Sequence, residues 1–116
     1  MAISFFSLDA SSLLKMFKDR IDQQKLEGKI TTWEKSTDGV YYTHKAKEWN
    51  KLAWVKPNLF NDRLTFNIIK PQNIAVTGLV YAYYHGHLTE TFLSHFDQNF
   101  AKSESTALPT PQDKCS

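Results

Sequence analysis

The sequence predicts a two-layer α+β domain: an N-terminal helix, a four-stranded antiparallel meander and a long C-terminal helix, with both helices on one face of the sheet. Three observations predict it. Apolar residues recur at helical spacing towards both ends of residues 1–101. Between them, β-branched and aromatic residues alternate with polar ones in short runs. Brief polar turns separate those runs, as expected of strands that pair with their sequence neighbours.

The first helix is expected over residues 9–27. Ser7 and Asp9 are suitable N-caps, because their side-chain oxygens accept from the free N–H groups of a first turn. Ala10, Leu13, Leu14, Phe17 and Ile21 share one face, with Leu26 near the end. Lys15, Lys18, Asp19, Asp22 and Gln23 take the other side. Gly28 supplies the C-cap, since it reaches positive φ without strain. Phe5 and Phe6 are expected to staple the start of this helix to the core.

The period then changes. Strands are expected at 30–35, 40–46, 52–55 and 64–69. Asp38-Gly39 is a strong hairpin signal between the first two. Pro57-Asn58 is expected to end the third, because proline cannot donate to a ladder. Asn61-Asp62 makes the next turn, and Lys70-Pro71 closes the fourth strand.

Residues 73–96 favour strand by their Val, Tyr and Thr content and helix by their length and spacing. A sustained helical period outweighs propensity, so a helix is expected, with a hairpin turning at His85-Gly86 as the competitor. Val76, Leu79, Val80, Tyr83 and His87 form one face, and Tyr81, Tyr84, Leu88, Phe92 and Phe96 a second. Ala75, Gly78, Ala82 and Gly86 form a ridge of small residues between them. Two interior glycines cost a helix about 1 kcal/mol each relative to alanine, and close approach of another backbone on the ridge is expected to offset that. Residues 102–116 are polar, carry Pro109 and Pro111 and show no period, so a disordered tail is expected.

Composition narrows function. With 116 residues the chain fits one domain with one real core. The net charge is +2 and the pI about 8.6, and Lys45, Lys47, Lys51 and Lys56 are dispersed rather than clustered. That balance speaks against nucleic acid and anionic membrane as partners. The N-terminus lacks the pattern of a secretory signal, and no apolar stretch approaches a membrane span. Cys115 stands alone and off the prenylation position, so no internal disulfide forms and a cytoplasmic setting is expected.

No constellation for catalysis emerges. His85-Gly86-His87 suggests a metal, but on a helix the two imidazoles point about 200° apart, so neither metal nor cofactor is expected. Glu34, Asp38, Glu48, Asp62, Glu90 and Asp97 are not paired in an apolar cleft. Neither a nucleophile elbow nor a glycine-rich phosphate loop is present in the sequence. The residual signal is aromatic. It points to a non-enzymatic protein-interaction module, a homodimer or the partner of another protein. Its surface would comprise Tyr81, Tyr84, His85, Trp33 and Trp49 with the open sheet face. The alternative is a carrier of a small apolar ligand, with a pocket of Trp54, Phe66, Tyr83 and His87. An enzyme using Tyr84 or His85 as acid or base ranks last.

Overall fold

In the computed structural model, which describes residues 1–115, the elements in order are β1 (Ala2–Phe6), α1 (Ala10–Asp22), β2 (Trp33–Lys35), β3 (Tyr42–His44), β4 (Trp54–Leu59), β5 (Arg63–Ile69), α2 (Gly78–Phe96) and β6 (Lys102–Ser105). The architecture is α+β, with two helices and one open antiparallel sheet. The strand order is β2-β3-β4-β5-β1-β6, so the sheet has six strands rather than four.

Both extra strands come from the chain ends. Phe5 and Phe6 do not staple α1. They lie in β1, which inserts between β5 (Ile3 opposite Phe66) and β6 (Ser4 opposite Glu104). The C-terminal segment likewise supplies a strand and contacts to the sheet. Lys102–Ser105 forms β6, and the Asp113 carboxylate accepts from Asn67 Nδ2 and from the amide of Ile68, each at 3.0 Å. Lys114 then bridges to Ile69 in parallel. The β1–β6 pairing joins residues about a hundred positions apart and the Asp113 contacts join residues about 45 apart, and the ladder donors and acceptors are backbone groups with no sequence signature.

The middle strands follow the alternation, with one correction. β4 runs through Pro57 instead of stopping there, with Pro57 opposite Phe66. Among the described residues β3 pairs with β4 only at Val55, so beyond it the outer edge of β4 has no partner strand there and the missing N–H costs nothing. α1 also differs, ending at Asp22 instead of residue 27. Asp9 caps its start by accepting from the Ser12 amide at 3.1 Å. At its end the Gln23 side chain donates to the carbonyls of Lys25 and Glu27, which favours a local loop over another helical turn. Leu26 is consequently exposed.

The core lies between the sheet and the two helices. Ile3, Phe5, Val55, Leu64, Phe66 and Ile68 face it from the sheet, Leu13 and Phe17 from α1, and Tyr84, Leu88, Phe92 and Phe96 from α2. Phe5 stacks on Phe92 at 4.0 Å between centroids, and Phe17 packs against both Phe66 and Phe92. Trp33 is buried with its indole donating to Thr91 Oγ1 at 2.9 Å. Among the described residues, no buried side-chain nitrogen or oxygen lacks a partner.

α2 is one continuous helix from Gly78 to Phe96, with no break at His85-Gly86. Thr77 caps it, its hydroxyl accepting from the Val80 amide at 3.2 Å. The small-residue ridge does not nestle against another backbone. Ala75, Gly78, Ala82 and Gly86 are all exposed, and a Cβ built on either helical glycine would meet nothing within 4 Å. The helix turns its aromatic face inward because large rings bury more apolar area than glycine or alanine can.

Candidate functional site

The outward face of α2 is the largest departure from ordinary surface chemistry in this helix. Leu79 is 71% exposed and Leu93 54%, with Ala82, Gly86 and Glu90 exposed between them. The inward face already buries Tyr84, Leu88, Phe92 and Phe96. A helix with leucines on its outward side as well as an apolar inward face has a second side on which an element could pack. Here the chain covers only one.

Three stacked rings flank this strip. Trp49 lies 3.7 Å from Tyr83 with planes 12° apart, and Tyr83 lies 4.1 Å from His87 with planes 18° apart. All three are half-buried. The stack is held from below by polar contacts to the loop of residues 45–53. Tyr84 Oη donates to the Trp49 carbonyl and sits 3.0 Å from Thr43 Oγ1. Thr43 in turn donates to the Ala53 carbonyl and accepts from the Lys51 amide. Asn50 bridges Glu34 and the His44 carbonyl.

Beneath the stack, His44 Nε2 meets His87 Nδ1 at 3.0 Å. His44 Nδ1 accepts from the Ala46 amide at 3.0 Å, so the ring proton must sit on Nε2 and donate to His87. Burial, followed by the neighbouring His87, pushes the His44 imidazole below its ordinary range, and Glu48 opposes this. With both nitrogens of His44 committed, the pair has no lone pair to offer jointly to a metal. Among the described residues, no three His, Cys, Asp or Glu side chains are grouped to hold one.

The residues expected to form an interaction surface are divided by the fold. Tyr84 is 0% exposed and Trp33 1%, so neither offers a surface to a partner or a substrate. Their large rings fill the core under α2. Trp49 remains partly accessible in the stack. Tyr81 turns to the chain ends, its hydroxyl donating to the Thr106 carbonyl at 2.9 Å. Burial, then Asp113 and Cys115, push it up to about 12. His85 lies beside Tyr81, half-buried, and burial pushes its imidazole down.

The residues expected to line one pocket do not converge. Phe66 faces the core, whereas Trp54, next to inward-facing Val55, projects from the opposite side of the sheet. Strand alternation enforces that separation. Tyr83 and His87 are together, but in the stack. A void between helices and sheet, bounded by Ile3, Val55, Tyr84 and Leu88, measures about 10 Å³. A pocket for an organic ligand takes roughly 300–1,000 Å³. A cavity of about 450 Å³ lies instead on the helix-free side of the sheet, between Phe6, Phe60, Arg63, Thr65 and Thr110. Its walls come partly from the C-terminal segment.

Leu79 and Leu93 escape a reading based on sequence. Leu79 shares a helical face with Val76, Val80 and Tyr83, so it reads as core. Only the rotation of α2 about its axis, set by where the rings lodge, turns it outward. No helix among the described residues is long and apolar enough to cross a membrane. Compared with known proteins, the chain matches no family model, no curated sequence and no solved structure.

Proposed function

We propose that this chain is a non-enzymatic protein-interaction module whose contact surface is the outward face of α2. The observation that carries this is the pair of exposed leucines, Leu79 and Leu93, on a helix whose other face is already buried. Covering a leucine fully is worth roughly 1.5–3 kcal/mol, so these two offer a partner a modest apolar contact. The Trp49–Tyr83–His87 stack borders it with rings of the kind that anchor protein interfaces.

The test is a photo-reactive side chain at position 79 of the full chain, compared with one at Lys18 on α1. Specific adducts at 79 that vanish with Leu93→Lys are expected. Equal labelling at both positions, unaffected by Leu93→Lys, would refute the reading.

A second reading has one observation in its favour: the cavity of about 450 Å³ on the helix-free sheet face is large enough for a small ligand. Its charged groups are already engaged, Arg63 by Asp62 and Glu104 by Lys102. A saturable rise in melting temperature with an apolar metabolite, lost in Thr65→Phe, would favour this carrier reading.

A further inference from the structure

The two exposed leucines of α2 stand symmetrically about Gly86, Leu79 seven residues before it and Leu93 seven after. Two helical turns take about 7.2 residues, so the three lie nearly on one line along the outward face. Read from either end, that line gives the same order: leucine, glycine, leucine. A twofold interface requires such a strip, since one patch must fit against itself.

Resting on the reading of α2 as the contact face, we propose that its occupant is a second copy of this chain, with the two α2 helices antiparallel and crossing at Gly86. Gly86 then meets its counterpart on the twofold axis, where a Cβ would meet nothing within 4 Å beyond its own helix, leaving room for a second backbone. Leu79 of each copy meets Leu93 of the other. The positions on either side also fit. Ala82 of one copy falls opposite Glu90 of the other, so a small residue faces the longer acidic one.

Charge sets the direction. Glu90 and Asp97 lie exposed towards the C-terminal end of the helix and make no ion pair among the described residues. The first turn, Gly78 to Tyr81, carries no charged side chain and presents the positive end of the helix dipole. The antiparallel arrangement brings Asp97 of one copy beside the first turn of the other. A parallel pair would set Glu90 against Glu90 and Asp97 against Asp97. The strip from Leu79 to Leu93 is about 21 Å long and about 10 Å wide. That footprint falls short of the roughly 800 Å² per partner in a standard interface, so self-association is weak.

The experiment uses the full chain with Cys115→Ser and places single cysteines at 79, 86 or 93. Under mild oxidation or with a short bis-maleimide, Gly86→Cys should link to itself. Leu79→Cys mixed with Leu93→Cys should link at least tenfold faster than Leu79→Cys alone. Sedimentation should show a monomer–dimer equilibrium that Leu79→Lys shifts to monomer, while circular dichroism confirms that the variant is folded. Faster self-linking at 79 would overturn the antiparallel assignment. A monomer at every concentration with no 86–86 link would overturn the second copy as occupant. The contact-face reading would then stand only if position 79 still captures a different protein in a manner that Leu93→Lys abolishes. Loss of both results would overturn both.

Discussion

Asp113 holds the C-terminal segment against the sheet, and removing its carboxylate gives a measurable cost. The side chain is fully buried. One oxygen accepts from Asn67 Nδ2 and the Ile68 amide at 3.0 Å, and the other from the Thr110 amide at 2.7 Å and the Thr110 hydroxyl at 2.9 Å. Hydrogen bonds to a charged group contribute about 1.5–3 kcal/mol net each. Their sum is an upper bound, because the segment can open locally and return its donors to water. Asp113→Ala should therefore cost about 3–5 kcal/mol, or roughly 12–20 °C in melting temperature for a domain of this size. Asp113→Asn keeps one accepting oxygen but turns an NH₂ group towards the Thr110 amide, and should cost about half as much. Urea titration measures the total, and native-state hydrogen exchange at the Ile68, Thr110 and Lys114 amides shows whether loss begins at this segment. An alanine variant within about 1 kcal/mol of the parent, with those amides equally protected, would refute the reasoning.

Two further outcomes follow from the same geometry. His44, His85 and His95 all have imidazoles pushed below the ordinary range, chiefly by burial. Between about pH 6.5 and those lowered values the unfolded chain binds more protons than the native one. Stability is therefore full above about pH 6.5 and falls as pH drops, by up to about 1.4 kcal/mol per pH unit for each such histidine. Urea midpoints from pH 7.5 to 5 check this, and an unchanged midpoint would contradict it. Gly86→Ala should stabilise the dilute monomer by about 0.8–1 kcal/mol, since the added methyl meets open space and alanine favours helix. The same change should weaken self-association at high concentration, and a destabilised monomer would show that the ridge is covered within one chain.

Much of the architecture was legible in the residues because it rests on local periodicity. Asp9 capping α1, the alternation through Leu64, Phe66 and Ile68, and a single helix through His85-Gly86 each express a period that a short window reveals. The partnership of α1 and α2 over one sheet face follows from the same apolar stripes. Tertiary structure alone decided the rest. β1 and β6 are strands because each supplies the other's backbone partners across the length of the chain, and Asp113 is a structural anchor only once Asn67 and Ile68 are brought to it. Tyr84 went inside and Leu79 and Leu93 outside for one reason. A helix with apolar residues on every side can bury only one face against a sheet, and it settles in the rotation that buries the most ring surface. The periodicity of α2 specifies a helix without saying which of its faces the core will take.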